Sequence, residues 1–206
     1  MDKNFEDSIF NLKKVLELDK SSEYSNESIQ RLSEVEVELV NLAIEDNDSK
    51  NFNEAAAKLY QAYMIDKNKP SNQNYLYFSA GSLVNAQDYE TALSHYINLK
   101  DIGYTGVQNQ YFVTEVESEN EIEVSESEYN ILKSSKEYKN QRTQKSESRL
   151  PEIVKNIALI YVQLGENDKA IEAFDDAIKL NNDSLELHFA LGALLRKTGQ
   201  IDRAIN

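Results

Sequence analysis

The chain has 206 residues, of which 40% are hydrophobic and 28% are charged, and its formal net charge is −14. The apolar content suffices for one continuous core, and the acidic balance disfavours nucleic acid and anionic membranes as partners because both would be repelled. The absence of cysteine excludes disulfides, thiolate metal sites and a cysteine nucleophile.

The amino-terminal segment does not look like a targeting signal. Residues 1–20 contain no uninterrupted apolar core, and no stretch of the chain approaches the roughly 18 apolar residues that would span a bilayer. We therefore expect a soluble chain without signal or transmembrane segment, and its compartment is unknown from the sequence.

One amphipathic face recurs in four predicted helices. Each carries a small residue followed by larger or small packing residues at positions i+4 and i+7, which lie on the same side of a helix. In chain order the four sets are Ser8, Leu12 and Val15; Ala55, Leu59 and Ala62; Ala92, Tyr96 and Leu99; and Ala170, Phe174 and Ala177. The recurrence indicates a repeated unit.

Another helix precedes three of these four faces, so the unit is a helix pair. The first helix of the pair is predicted at about residues 26–47, then around Ala80 and Leu83, and again around Ile157 and Ala158. The face at Ser8 belongs to a helix over residues 5–18 that has no partner before it.

Glycine and alanine fix the repeat period. Gly165 and Gly199 are 34 residues apart, and so are Ala170 and Ala204. A period of 34 residues is typical of helix–turn–helix repeats that stack into a solenoid. Gly165 is expected to end the first helix of its pair, because glycine adopts a left-handed conformation at little cost.

Longer spacings locate two irregularities. Ser8 and Ala55 are 47 residues apart, which predicts a lengthened helix over residues 26–47. Ala92 and Ala170 are 78 residues apart, so 44 residues are inserted between two repeats.

Residues 103–150 form this insertion. Gly103 is expected to end the preceding helix, and Tyr104 to fold back on its last turn. Residues 111–124 alternate with period two and predict a β-hairpin that turns at 118–121. The pattern Ser125-x-x-Glu128 predicts a capping box at the start of a short helix.

Charge in the insertion is segregated. Residues 114–128 contain seven glutamates and no base, whereas residues 133–149 contain six bases and two glutamates. The basic tract either folds over the acidic hairpin and clips it to the solenoid, or both tracts are solvated charge runs. Exposed ion pairs contribute only ~0–1 kcal/mol each, so both alternatives stay open.

The sequence carries no pattern typical of catalysis. His95 and His188 are the only imidazoles, and each precedes an aromatic residue on a predicted helix, which favours a structural histidine over a ligand or base. Phosphate-binding, dinucleotide, metalloprotease and nucleophile-elbow motifs are absent, and the glutamates lack the spacing of a calcium loop. We therefore expect a non-enzyme without cofactor or metal.

The repeats over residues 1–102 and 151–206 resemble tetratricopeptide repeats (TPR), most clearly from Pro151 onward. Residues 101–106 and 154–170 also resemble a bacterial TPR family with an insertion between two repeats, whose members tend to be exported. The resemblance implies an all-α, right-handed solenoid with an inserted β-hairpin and short helix at residues 103–150. A location outside the cytoplasm or in the cell envelope would fit it.

The TPR proteins that clamp a chaperone's terminal carboxylate use lysine, asparagine and arginine on successive first helices. Lys155 and Asn156 match, but Leu159, Glu186 and Ala190 occupy other clamp positions, so an acidic tail is not the expected ligand. Projection of the first helices gives these groove candidates: Asn74, Tyr77, Phe78, Val84, Lys155, Asn156, Leu159, Val162, Phe189 and Arg196.

The expected function is a non-catalytic scaffold that presents a concave groove to a peptide or helix of a partner protein. Several groove candidates could instead pack against the insertion. Two alternatives are a self-assembling segment of a cell-envelope array and, less expected, an enzyme with a site between the insertion and the groove.

The repeat pattern is interrupted at both ends of the chain. The final predicted helix has only six residues, and the helix before it, at residues 185–198, is apolar nearly all round. Solenoid ends normally carry a polar capping face. We expect a fragment of a longer array or self-association through the C-terminal repeat.

Overall fold

The computed structural model describes residues 3–19, 21–200 and 203. Its helices are α1 (Lys3–Leu18), α2 (Ser25–Asp48), α3 (Phe52–Ile65), α4 (Pro70–Asn85), α5 (Tyr89–Asp101), α6 (Glu126–Leu132), α7 (Leu150–Gln163), α8 (Asn167–Leu180) and α9 (Leu185–Lys197). The strands are β1 (Asn109–Glu115), β2 (Glu121–Val124) and β3 (Tyr138–Lys145). The predicted helical repeat fold with a small inserted sheet and short helix is confirmed.

The chain divides into two compact units. The first, the repeat unit, combines Met1–Tyr104 with Pro151–Asn206, and the second, the inserted unit, is Thr105–Leu150. In the repeat unit each helix from α1 to α4 packs on the next, and α8 packs on α9. Ala204 and the rest of the predicted final helix, apart from residue 203, lie outside the described residues.

The packing faces predicted for α3, α5 and α8 are confirmed. The alanines of these faces are fully buried. The larger residue four positions after the first alanine of each face is almost fully buried. The buried members are Ala55, Leu59, Ala62, Ala92, Tyr96, Leu99, Ala170, Phe174 and Ala177. Small residues let two helix backbones approach, and the larger ones fill the space beside them.

The face predicted for α1 is wrong by one residue. Ile9 is the buried residue of α1, whereas Ser8 and Val15 are only half-buried. The residues that pack with Ile9 are Phe5, Leu12 and Leu16. Their spacing is still helical, but this face removes more apolar area from water than the one containing Ser8.

Helices α2, α4, α7 and α9 end in the same way. Lys50, Gln87, Gly165 and Gly199 all have positive φ, between 63° and 79°. At Gly165 the next amide, of Glu166, donates to the carbonyl five residues earlier at 2.9 Å, and the other three ends form the same hydrogen bond. The expectation for Gly165 is therefore confirmed, and two ends adopt the same geometry without glycine.

The inserted unit is a three-stranded antiparallel sheet in the order β2-β1-β3. The predicted hairpin is β1 with β2, and the predicted capping box of Ser125 and Glu128 opens α6. Gly103 has a φ of 69°, and the Tyr104 amide donates to the Leu99 carbonyl at 2.9 Å, which confirms the predicted end of α5.

No strand was predicted in the basic tract, and the structure places one there. β3 pairs with β1 along its length, with an irregularity between Phe112 and Thr114. Arg142 of β3 forms an ion pair of 2.5 Å with Glu121, and Lys139 forms one of 3.1 Å with Glu119. The basic and acidic tracts thus meet within one sheet, while the predicted clip onto the repeats stays a prediction.

Candidate protein-binding groove

The candidate functional site is an open groove of about 680 Å³ in the repeat unit. Helices α2, α4 and α7 supply its walls, with single residues from α3 and α5. The lining residues are Val40, Ile44, Asn47, Leu59, Tyr75, Tyr77, Phe78, Gly81, Ser82, Val84, Asn85, Tyr96, Glu152 and Asn156. Aliphatic and aromatic side chains predominate, and amide and hydroxyl groups lie among them.

Helix α4 contributes half of this lining because its other face is in the core. Leu76, Ala80 and Leu83 are buried, and this fixes which side of the helix turns toward the groove. Phe78 projects from that side with 46% of its surface exposed. A rigid helix therefore displays a large aromatic side chain to solvent.

Hydrogen bonds hold the polar lining residues in place. The Asn156 side-chain amide donates to the Tyr96 hydroxyl at 3.1 Å, and the Ser82 hydroxyl donates to the Asn47 side-chain oxygen at 2.9 Å. Burial raises the pKa of Tyr96 to about 12, so its phenol stays protonated near neutral pH. These four polar lining residues are therefore neutral and oriented, and Glu152 is the charged residue beside them.

Tyr75 links the groove to a carboxylate on α2. Its hydroxyl donates to Glu36 at 3.1 Å, and Glu36 also accepts from Asn72 and Lys69. Burial and, to a smaller extent, the charge of Glu36 raise the pKa of Tyr75 to about 12. This network fixes α4 against α2 at the floor of the groove.

An aromatic cluster supplies part of the groove lining through Tyr77, Phe78 and Tyr96. The Tyr77 ring is 5.4 Å from Phe78, 6.3 Å from Tyr96 and 6.1 Å from Tyr104, measured between ring centroids. The Tyr104 hydroxyl donates to Asn74 at 2.6 Å. Ring contacts at these distances pack the cluster and limit rearrangement of the wall.

The structure brings some of the ten groove candidates together. Tyr77, Phe78, Val84 and Asn156 line the groove, and Asn74 adjoins it through Tyr104. The other five are not in the lining: Lys155, Leu159, Val162, Phe189 and Arg196. Lys155 instead forms an ion pair of 3.4 Å with Glu186. The role of all ten in binding stays a prediction.

The contribution of α2 was not predicted from the sequence. Val40, Ile44 and Asn47 line the groove, yet none of the ten groove candidates lies on this lengthened helix. A usable signal was present, because Val40, Ile44 and Asn47 follow the alternating spacing of four and three that marks one side of a helix.

One repeat family matches part of the chain. The TPR repeat family model matches residues 158–199. The chain carries tetratricopeptide repeats. A search of curated proteins finds no match.

Several solved structures are similar to this chain in fold. MamA has a TM-score of 0.51 at 16% identity, covering 98% of this chain and 84% of its own. MamA from Desulfovibrio magneticus RS-1, from residue 41 to its end, has a TM-score of 0.52 at 13% identity, with 100% and 90% covered. A tetratricopeptide repeat protein from Parabacteroides merdae ATCC 43184 has 0.54 at 16%, and this chain spans 49% of it. Identities this low show the fold alone.

The charge in the groove lining is of one sign. Among the lining residues that the structure describes, Glu152 is the one acidic side chain, and lysine, arginine and histidine are absent. An acidic tail or a phosphate would meet no cation in this lining. The groove therefore favours neutral, apolar or basic ligands.

His95 lies behind the groove and has a packing role. Its ring stacks on Tyr60 at 4.8 Å, and its Nδ1 is 3.3 Å from the Ser79 hydroxyl. Ser79 is fully buried and donates to the Ala56 carbonyl at 2.9 Å, so its oxygen cannot meet a substrate. Burial lowers the pKa of His95, which favours the neutral imidazole. The pair stabilises the α3–α4–α5 packing.

Within the part of the chain that the structure describes, no group of three or more histidine, aspartate or glutamate residues has the arrangement of a metal site. Among the described helices, none combines the length and apolar content needed to cross a membrane.

Proposed function

We propose that the protein is a non-catalytic interaction scaffold whose groove binds a peptide segment or helix of a partner protein. The observation that carries this proposal is the groove itself, where α2, α4 and α7 present apolar and neutral polar side chains on one open surface. Stacked helical repeats generate extended binding surfaces of this type.

The chemistry of the lining suits a polypeptide ligand. The volume of about 680 Å³ falls within the range of roughly 300–1,000 Å³ that ligand sites occupy. Val40, Ile44 and Phe78 can receive apolar side chains, while Asn85 and Asn156 offer amides to a peptide backbone. Because the lining is already hydrogen-bonded, little ordering is needed on binding.

Selection of a displayed peptide library against the whole chain tests this proposal. Peptides recovered on the wild-type protein are expected to lose most of their binding to Phe78→Asp, which places a charge in the apolar wall. Phe10→Asp is the matched control, since Phe10 is an exposed aromatic residue on α1 outside the lining. Equal retention by both variants would overturn the groove as the binding surface.

Self-assembly is a second candidate function, favoured by helix α9. Leu185 and Phe189 are 85% and 80% exposed, so two large apolar side chains of one helix face water. If they mediate assembly, light scattering will show a concentration-dependent oligomer that Leu185→Glu with Phe189→Glu abolishes. The matched pair Phe10→Glu with Leu18→Glu should leave it unchanged, and a monomer at all concentrations would dismiss the idea.

A further inference from the structure

Helix α2 carries an apolar stripe that continues beyond the groove. Val37 and Ile44 are 57% and 54% exposed, and Val40 between them is half-buried. With Ser33 they follow spacings of four, three and four residues, so they lie in one row roughly 16 Å long. Val40 and Ile44 line the groove, and Val37 lines a shallow depression beside it.

The flank of this α2 stripe is acidic. Residues 34–48 contain six carboxylates and no base. Two of them are neutralised within the fold, because Asp46 pairs with Lys58 and Glu36 with Lys69. Of the remaining four, Glu34, Glu38 and Glu45 project on one side of the stripe at 100° per residue, and Asp48 is the last residue of α2.

These three glutamates form what we call the acidic flank. All three are exposed, and none forms an ion pair within the described residues. Glu34 and Glu38 border the same depression as Val37, so charge and apolar surface are contiguous. A ligand for this surface needs an apolar row with cations along one edge.

We propose that the groove's partner is a basic amphipathic helix laid along α2. Its apolar side would contact Val37, Val40 and Ile44, and its lysines or arginines would face the acidic flank. A helix fits because the receptor row has the spacing of a helix–helix seam, and neighbouring residues of a helical ligand recur at the same intervals. This inference rests on the proposed function, since the row ends inside the groove.

Charge selects this occupant over a second copy of the chain. Two α2 helices brought together would place two acidic flanks near one another, in molecules of net charge −14. A basic helix removes that repulsion and accelerates association through long-range attraction.

The probe is a labelled 18-residue peptide with leucine at helical positions i, i+3, i+4 and i+7 and lysine elsewhere. A second peptide has glutamate in place of every lysine. Fluorescence anisotropy with the whole chain should show binding of the lysine peptide alone. Glu34→Gln, Glu38→Gln and Glu45→Gln combined should weaken it by at least about tenfold, since each exposed pair contributes modestly and the three add.

A variant of equal net charge distinguishes binding at the acidic flank from general attraction between the lysine peptide and an acidic protein. Glu54→Gln, Glu90→Gln and Glu172→Gln make the same change in net charge on exposed positions of α3, α5 and α8. Equal weakening by both triple variants, or none by the α2 triple, would overturn the inference. Val37→Ser with Ile44→Ser should also abolish binding, and circular dichroism will verify that each variant remains helical.

The two proposals fail in different ways. If library peptides bind in a Phe78-dependent manner while the lysine peptide does not bind, the proposed basic partner is wrong and the proposed binding groove is supported. If binding of the lysine peptide depends on the acidic flank but library peptides bind equally well to Phe78→Asp, the α2 surface is supported as a binding site. The groove wall around Phe78 is then not the binding surface.

Discussion

The repeat unit and the inserted unit are stabilised differently. In the repeat unit, alanines and aromatic residues interlock, and side chains such as Phe174 are almost completely removed from water. In the inserted unit, Val113 and Thr114 are the buried residues, and the charged side chains that join the strands lie at the surface. Packing therefore dominates one unit, whereas strand pairing and screened charges matter more in the other.

Phe174→Ala should give the largest loss of stability, about 3–5 kcal/mol, because it leaves a cavity in the packed repeat core. Urea unfolding measures the change in the free energy of unfolding. Phe189→Ala is the matched control, since the same substitution at an exposed position should stay within about 0.5 kcal/mol. Similar losses for both would refute the packing contrast.

Val113→Ala should destabilise the inserted sheet by about 2 kcal/mol, since two methyl groups leave its small core. Amide hydrogen exchange along β1 gives the local effect. Val116→Ala, at an exposed position, should change exchange little. If both variants behave alike, burial of Val113 is not what stabilises the sheet.

Gln87→Gly should stabilise the repeat unit by about 0.5–1 kcal/mol, because a residue other than glycine at positive φ carries a steric cost. Gly165→Ala should destabilise it by about 1 kcal/mol at the equivalent helix end. Thermal unfolding measures both. The prediction requires changes in unfolding free energy of opposite sign for the two variants. If Gln87→Gly is destabilising, the Gln87 side chain contributes contacts that outweigh its backbone cost.

The smallest effect concerns the ion pair of the inserted sheet. Hydrogen bonds donated by Arg142 lower the pKa of Glu121, so the pair stabilises above the ordinary carboxyl pKa and is lost as pH falls through the lowered value. Arg142→Met should return the pKa of Glu121 to the ordinary range in an NMR titration. Lys145→Met, a cation of the same strand, should leave it lowered.

The repeat pattern was visible in the sequence because close helix crossings restrict residue size. Ala92 and Ala170 recur since larger side chains would separate the helices, and this restriction acts wherever the unit repeats. The geometry at Gln87 was not visible, because most of the restriction there falls on backbone conformation, which glutamine adopts at a cost.

Groove residues were harder to predict than core residues. Phe78 and Asn156 followed from helix periodicity, but Val40 and Ile44 lie on a helix whose extra length removed it from the repeat register. β3 was missed for a related reason, since its sequence is polar and its strand conformation depends on pairing with β1.

The sequence alone determined the helix pairs, their period, the position of the insertion and its capping box, because each is dictated by local spacing and residue size. Only the tertiary structure decided which side of α2 joins the groove, that the basic tract becomes a strand, and which carboxylates of α2 form no ion pair within the described residues. Those features depend on neighbours distant in the chain, and local periodicity carries no information about them.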